Sequence, residues 1–213
     1  MNRAIVTFST DDYAELADVS LPTMRRYADR HDWLLIAVRG TAAFERPPSW
    51  MKIPLLQEAL RDFDEVLWID ADVVVAADAP DITDEVPDDA WMALVEHHTA
   101  DGDVPNCGVW LLRPPMRAWL ARVWSMVEYR DHGWWEQAAL LQLLGYREQP
   151  RPVRHEQTTT LYRNTAWLGR EWNSHEESDR HPDPHFAHAT AGNLPWRLDV
   201  MRRYAALIPA TGG

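Results

Sequence analysis

Glu65-Val66-Leu67-Trp68-Ile69-Asp70-Ala71-Asp72-Val73-Val74-Val75 is an apolar run broken once, by two acids. Its branched and aromatic residues suit a short, fully buried strand better than a helix. It therefore reads as a buried strand interrupted at Asp70 and Asp72. Side chains two apart on an extended chain point to the same side, so both carboxylates leave the strand end together. Unpaired charge beside so apolar a flank is costly. Two converging carboxylates suit a hard divalent cation, which prefers oxygen ligands and bridges protein to phosphate. The plainer alternative is a solvated turn after a strand.

On either side, periodicity switches repeatedly between strand and helix. Residues 3–8 form a β-rich run, and Asp11-Asp12 supplies cap-type residues before apolar positions at Leu16, Val19 and Met24. A second strand is expected at 33–38, and Pro47-Pro48-Ser49 introduces a helix through 56–63. Strands at 91–95 and 109–112 and helices at 119–127 and 136–144 follow. Residues 149–184 read as a loop-rich lid or acceptor region, ordered around Trp167 and Trp172; 195–207 reads as a final helix with Met201 and Tyr204 or Ala205 facing inward. Strands separated by helices predict an α/β fold with a mostly parallel central sheet flanked by helices, residues 1–213 forming one domain. In such sheets ligands gather at the carboxyl ends of strands, where the two acids lie.

Composition narrows the function. The 213 residues carry a formal net charge of −12, which opposes binding to nucleic acid or an anionic membrane and suits a small-molecule or glycan acceptor. Cys107 is the only cysteine, so neither an intrachain disulfide nor a thiolate metal cluster can form, leaving oxygen and imidazole as ligands. The chain starts without a basic lead and long apolar stretch, and no run reaches membrane-spanning length, which predicts a cytoplasmic protein. Twelve tryptophans exceed what a core of this size requires, so some are expected to line a concave site, where indole covers sugar faces well.

Taken in order, these segments resemble the retaining GT-A glycosyltransferases, especially the glycogenin-like family and, more loosely, the Golgi α-galactosyl/α-mannosyltransferases. Val6-Thr7-Phe8-Ser9-Thr10-Asp11-Asp12-Tyr13 resembles their first strand and nucleoside-binding turn, and Trp68-Ile69-Asp70-Ala71-Asp72 their Asp-x-Asp motif. Asn106-Cys107-Gly108-Val109 is similar to the strand that faces the donor sugar, and Trp135-Glu136-Gln137-Ala138 to an acid-Gln pair opening a later helix. Arg170-Glu171-Trp172-Asn173 is similar to an aromatic-Asn segment before the last strand. His185-Phe186-Ala187-His188, followed by Gly192 and Pro195-Trp196, resembles the element that carries the third metal ligand. Two departures stand out: three residues, not two, separate His188 from Gly192, and Leu194 stands where the family places a phosphate-binding lysine. Lys52, the only lysine, lies where a helix sends a basic residue toward the donor, and is expected to replace that cation.

The resemblance implies a Rossmann-like nucleotide-diphospho-sugar transferase fold and a hexosyl transfer from a UDP-sugar, with retention of configuration. It implies Mn2+ or Mg2+ held by Asp70, Asp72 and His188, with Asp72 the direct ligand, Asp70 shared with the ribose, and His185 a competitor of His188. The donor would lie against Phe8, Thr10, Tyr13, Lys52, Asp70, Ala71, Asp72, Asn106, Gly108 and Gly192. Asn106, Glu136 and Gln137 would face the sugar; the bland alternatives are macrodipole stabilisation for Glu136 and a solvated helix face for Gln137. His97 and His98, after the 91–95 strand, read as ordinary loop histidines or as part of the acceptor side. Three other functions share such acids. A nucleotidyltransferase lacks support, because Ser9-Thr10-Asp11-Asp12 is not a Gly-rich basic loop. A non-catalytic sugar-nucleotide binder and a metal-dependent phosphohydrolase remain as alternatives.

Overall fold

The computed structural model describes residues 1–41 and 45–206. In chain order they form β1 (Arg3–Ser9), α1 (Ala14–His31), β2 (Leu34–Arg39), α2 (Lys52–Asp62), β3 (Glu65–Ile69), β4 (Val73–Val75), β5 (Met92–Thr99) and β6 (Gly102–Leu112). Then come α3 (Met116–Ser125), α4 (Trp135–Leu144), β7 (Tyr146–Arg147), β8 (Arg154–His155), α5 (Thr160–Arg163), β9 (Thr165–Leu168), β10 (Ser174–His175), β11 (Phe186–His188) and α6 (Leu194–Ala206).

Six strands make the main sheet in the order β2-β1-β3-β6-β5-β9. Only β6 runs against its neighbours; β1 is parallel to β2 and β3, and β5 to β9. The central strands are covered on both faces, which is why they read as continuous apolar runs. Val66 and Trp68, Met92 and Leu94, Trp110 and Leu112 pack on one side with Trp50, Leu56, Leu120 and Leu140. Their sequence neighbours Leu67 and Ile69, Ala93 and Val95, Val109 and Leu111 pack on the other with Met24, Tyr27 and Phe186.

After Ile69 the chain leaves this sheet, so the run at 65–75 is not one interrupted strand. β4 belongs to a second sheet of order β10-β11-β4, where Val73–Val75 pairs antiparallel with Phe186–His188. Between β3 and β4 the Val73 N–H bonds the Asp70 carbonyl at 3.1 Å, closing a tight turn that contains both acids. The valines gain their partners from a segment more than a hundred positions away, which no local pattern records.

Other differences have similar causes. The strands expected at 91–95 and 109–112 are pieces of a long hairpin, with Thr99 opposite Gly102. Its outer half carries His97, His98, Asp103 and Asn106, and those polar residues hid the strand. Within 149–184 order falls around Trp167 and Trp172 as expected, but as sheet: β9, which holds Trp167, is the edge strand beside β5, and β10, just after Trp172, flanks β11. Asp11 caps no helix but bonds Arg39 at 2.9 Å, and α1 begins at Ala14 after a 3-10 turn. The final helix begins at Leu194, with Met201 buried and Tyr204 and Ala205 packed beside it; Leu207 lies outside the described residues. Among the described residues no helix is long and apolar enough to cross a membrane.

Trp110 sits fully buried in β6 with its indole N–H 3.2 Å from the Met92 sulfur. Trp110→Ala is expected to lower the unfolding free energy by about 3–5 kcal/mol, read from urea denaturation; a loss below roughly 1 kcal/mol would contradict its central place in the core.

Candidate active site

The site forms where the two sheets meet. The Asp70 N–H donates to the Gly108 carbonyl at 2.8 Å, one residue past the β3 ladder, and the turn then reverses the chain. β4 pairs with β11 so that Val73 lies opposite His188, and the Ala189 N–H donates to the Asp72 carbonyl at 3.1 Å. Asp70, Asp72 and His188 thereby each present one ligand atom, all within 4.8 Å of one another. His188 Nε2 lies 3.3 Å from Asp72 Oδ1 and 4.0 Å from Asp70 Oδ2. The acids converge as expected, but through a turn and a second sheet instead of the alternation of an extended strand. His185, the competitor, packs its ring against Trp172 at 4.8 Å and is no part of this group.

A relay of amides orients His188. Gln137 Oε1 accepts from Asn106 Nδ2 at 3.0 Å, and Asn106 Oδ1 accepts from Asn173 Nδ2 at 2.9 Å and from the Gly108 N–H at 2.8 Å. Asn173 Oδ1 is thus left to accept from His188 Nδ1 at 2.8 Å, which turns Nε2 toward the carboxylates. Gly108 is required for this approach, since a Cβ there would lie 2.2 Å from His188 Cε1. The donor set of two carboxylate oxygens and one imidazole nitrogen suits a divalent metal ion.

Two cations balance the acids. Lys52, buried at the start of α2, places Nζ 3.3 Å from Asp70 Oδ1, 3.1 Å from Glu136 Oε1 and 3.0 Å from the Cys107 carbonyl. Burial disfavours its charge, but Asp70, Cys107 and Glu136 outweigh burial and raise its pKa well above the ordinary lysine value. Burial raises the Glu136 pKa against the pull of Lys52, and pushes the Cys107 thiol up to about 12. Arg197, from α6, is the residue that sequence reasoning missed. Its Nη2 pairs with Asp72 Oδ2 and its Nε donates to the Ala189 carbonyl at 2.8 Å. Burial opposes the Asp72 charge, yet His188 and Arg197 hold that carboxyl well below the usual range. The only sequence signal was an arginine directly after Pro195-Trp196.

The group opens on a cavity of about 860 Å3, lined by Phe8, Thr10, Tyr13, Lys52, Asp70, Ala71, Asp72, Asn106, Glu136, Gln137, His188 and Arg197 among others. Gly108 and Gly192 are not on its wall: Gly108 lies under His188, and Gly192, at φ +80°, lies under the Trp196 ring. Trp68, Trp134 and Trp135 do line it, whereas Trp50, Trp110 and Trp172 are fully buried. The histidines taken for loop residues are strand residues. His98 is exposed and bonds Asp103 at 2.8 Å, while His97 is 1% exposed and faces the cavity beside His175.

Burial pushes the His97 pKa down to about 4 from an ordinary 6.5. Between those values the unfolded chain binds a proton that the folded chain does not, so stability rises with pH across that window and is lost on acidification. The urea midpoint is expected to fall from pH 7 to pH 5, less steeply in His97→Phe; an unchanged slope in that variant would contradict the burial of a neutral ring.

No family model matches the sequence, and no curated protein does. Solved structures do match. A glycosyltransferase involved in glycosylation of the major capsid of PBCV-1 superposes with a TM-score of 0.68 at 14% identity, covering 94% of this chain and 99% of that one. The galactosyltransferase LgtC, in complex with donor and acceptor sugar analogues, gives 0.63 at 15% identity over 98% and 97% of the two chains. The glycosyltransferase GlyE of Streptococcus pneumoniae gives 0.63 at 14% identity over 96% of this chain and 60% of its own. At such identities the likeness shows the fold alone: this chain has the GT-A fold, an α/β architecture with a mostly parallel central sheet and flanking helices.

Proposed function

We propose that this protein is a metal-dependent glycosyltransferase that moves a hexosyl group from a nucleotide-diphosphate sugar, UDP-linked by preference, to a small-molecule or glycan acceptor with retention of configuration. The observation that carries the reading is the convergence of Asp70, Asp72 and His188 within 4.8 Å on the wall of a cavity of about 860 Å3, a volume that suits a nucleotide sugar. Mn2+ or Mg2+ held by those three residues would neutralise charge on the departing diphosphate. LgtC, a galactosyltransferase of the same fold solved with donor and acceptor sugar analogues, supports the reading as a sugar transfer.

The chain's own groups divide the remaining work. Phe8, Thr10 and Tyr13 flank the nucleoside at the end of β1, and Asp70 serves the ribose as well as the cation. Arg197 spends Nε on the Ala189 carbonyl and Nη2 on Asp72, so its remaining guanidinium N–H groups serve phosphate oxygens. That is the task expected of Lys52, whose ammonium is committed to Asp70 and Glu136. Lys52 instead fixes those two carboxylates at the sugar end. Asn106 and Gln137, already hydrogen-bonded to each other, orient sugar hydroxyls without adding charge. A single buried thiol suits a cytoplasmic setting.

The purified protein is expected to bind UDP-glucose or UDP-galactose in thermal-shift and calorimetric titrations only with Mn2+ or Mg2+, and to hydrolyse the donor slowly without an acceptor. Asp72→Ala should abolish both effects while leaving a cooperative melt. Unchanged metal-dependent donor binding in that variant would refute the role of Asp72. Binding without hydrolysis would favour a non-catalytic binder, and hydrolysis of simple phosphate esters without nucleotide-sugar preference would favour a phosphohydrolase.

A further inference from the structure

Beside the acid cluster lies a second group of buried polar side chains that the donor chemistry leaves unused. His97, on β5, has its Nδ1 3.1 Å from Asp179 Oδ2, and Asp179 Oδ1 is 2.6 Å from Arg170 Nη1. The His97 ring stacks on His175 at 3.6 Å with 21° between planes, and His175 meets His188 edge-on at 5.2 Å. β10 sets His175 in register with His188 on β11. His97 is 1% exposed and His175 7%, both line the large cavity, and the Nε2 atoms of both are buried without a hydrogen-bond partner.

An unpaired buried polar atom is destabilising, and one on a side chain that lines a cavity gains a partner when a ligand or water enters. The hydrogen-bond inventory fixes what this ligand must offer. Burial opposes the Asp179 charge, but Arg170 and His97 hold its carboxyl below the ordinary value, so Asp179 only accepts. His97 Nδ1 is therefore the donor, and Nε2 of the neutral ring carries a bare lone pair. A bare lone pair takes a hydroxyl hydrogen. An anion is disfavoured at this nitrogen by its own lone pair and by Asp101 on the adjoining wall.

We propose that His97, oriented by Asp179 and backed by His175, is an acceptor subsite that binds a non-reacting hydroxyl of a neutral sugar next to the donor. The proposal rests on the glycosyltransferase reading and adds the place and chemical class of the second substrate. Thr99, Val104 and Ser178 complete the adjoining wall. A sugar held there lies two imidazoles away from the acid cluster, since His175 bridges His97 and His188.

The test compares wild type with His97→Phe, which keeps the ring stack and the Asp179–Arg170 pair but removes both nitrogens. With saturating Mn2+ and UDP, binding of lactose and of the methyl glycosides of glucose, galactose and mannose is followed by isothermal titration calorimetry. Wild type is expected to bind at least one of these sugars, and His97→Phe to bind it at least about tenfold more weakly. The variant should hold Mn2+-UDP with an affinity within about twofold of wild type and keep a cooperative melt, the lost Asp179 contact being offset in part by removal of the unpaired nitrogen. Sugar binding retained by the variant, or no sugar binding by wild type that holds Mn2+-UDP, overturns the proposal. So does a lower melting temperature with loss of UDP binding, which marks a structural residue. Failure of wild type to bind Mn2+-UDP is a different result: it removes the donor reading, and this inference with it.

Discussion

Everything in this molecule turns on three residues of chain between Ile69 and Val73. There the backbone must end one sheet, reverse and enter another, and the reversal sets two carboxylates beside the core. Such charge is tolerable inside only if cations or donors surround it. The protein supplies Lys52 to Asp70, Arg197 to Asp72 and an imidazole to both. Each comes from a different part of the chain: α2, α6 and β11. Compensation of the acids therefore ties the beginning, middle and end of the fold to one point.

The same point explains why so much amide chemistry lies behind the cavity wall. His188 can present Nε2 only if its other nitrogen is satisfied, and that requires Asn173, which in turn is held by Asn106 and, through it, Gln137. The relay runs from α4 through β6 to the turn before β10. The ring of His175, stacked on His97 and edge-on to His188, joins this system to Asp179 and Arg170.

Much of this was legible in the sequence, for identifiable reasons. The buried strands are covered on both faces, so Val66–Ile69 and Val109–Leu112 announce themselves by apolar content alone. The acids were visible because they interrupt such a run. What could not be read was which sheet Val73–Val75 joins, because its partner at Phe186–His188 is remote. The outer half of the β5–β6 hairpin was missed because its inner face borders a polar cavity and so carries histidine and asparagine where a core strand carries valine. Arg197 escaped notice because a lone arginine on a helix is ordinarily solvated; only the tertiary fold turns it onto Asp72. The two glycines expected on the donor have a packing role that the sequence did not show: Gly108 and Gly192 permit the close approach of His188 and Trp196.

Lys52 is the only lysine of the chain, and its ammonium is 4% exposed beneath the Trp68 indole and between two carboxylates. Side-chain primary amines are thus absent from the surface of the folded protein, and every surface side chain with a permanent positive charge is a guanidinium. Acylating agents, aldehyde fixatives and enzymes that modify lysine meet no accessible side-chain amine on the folded protein, and Lys52 becomes open to them only when the cavity wall itself comes apart.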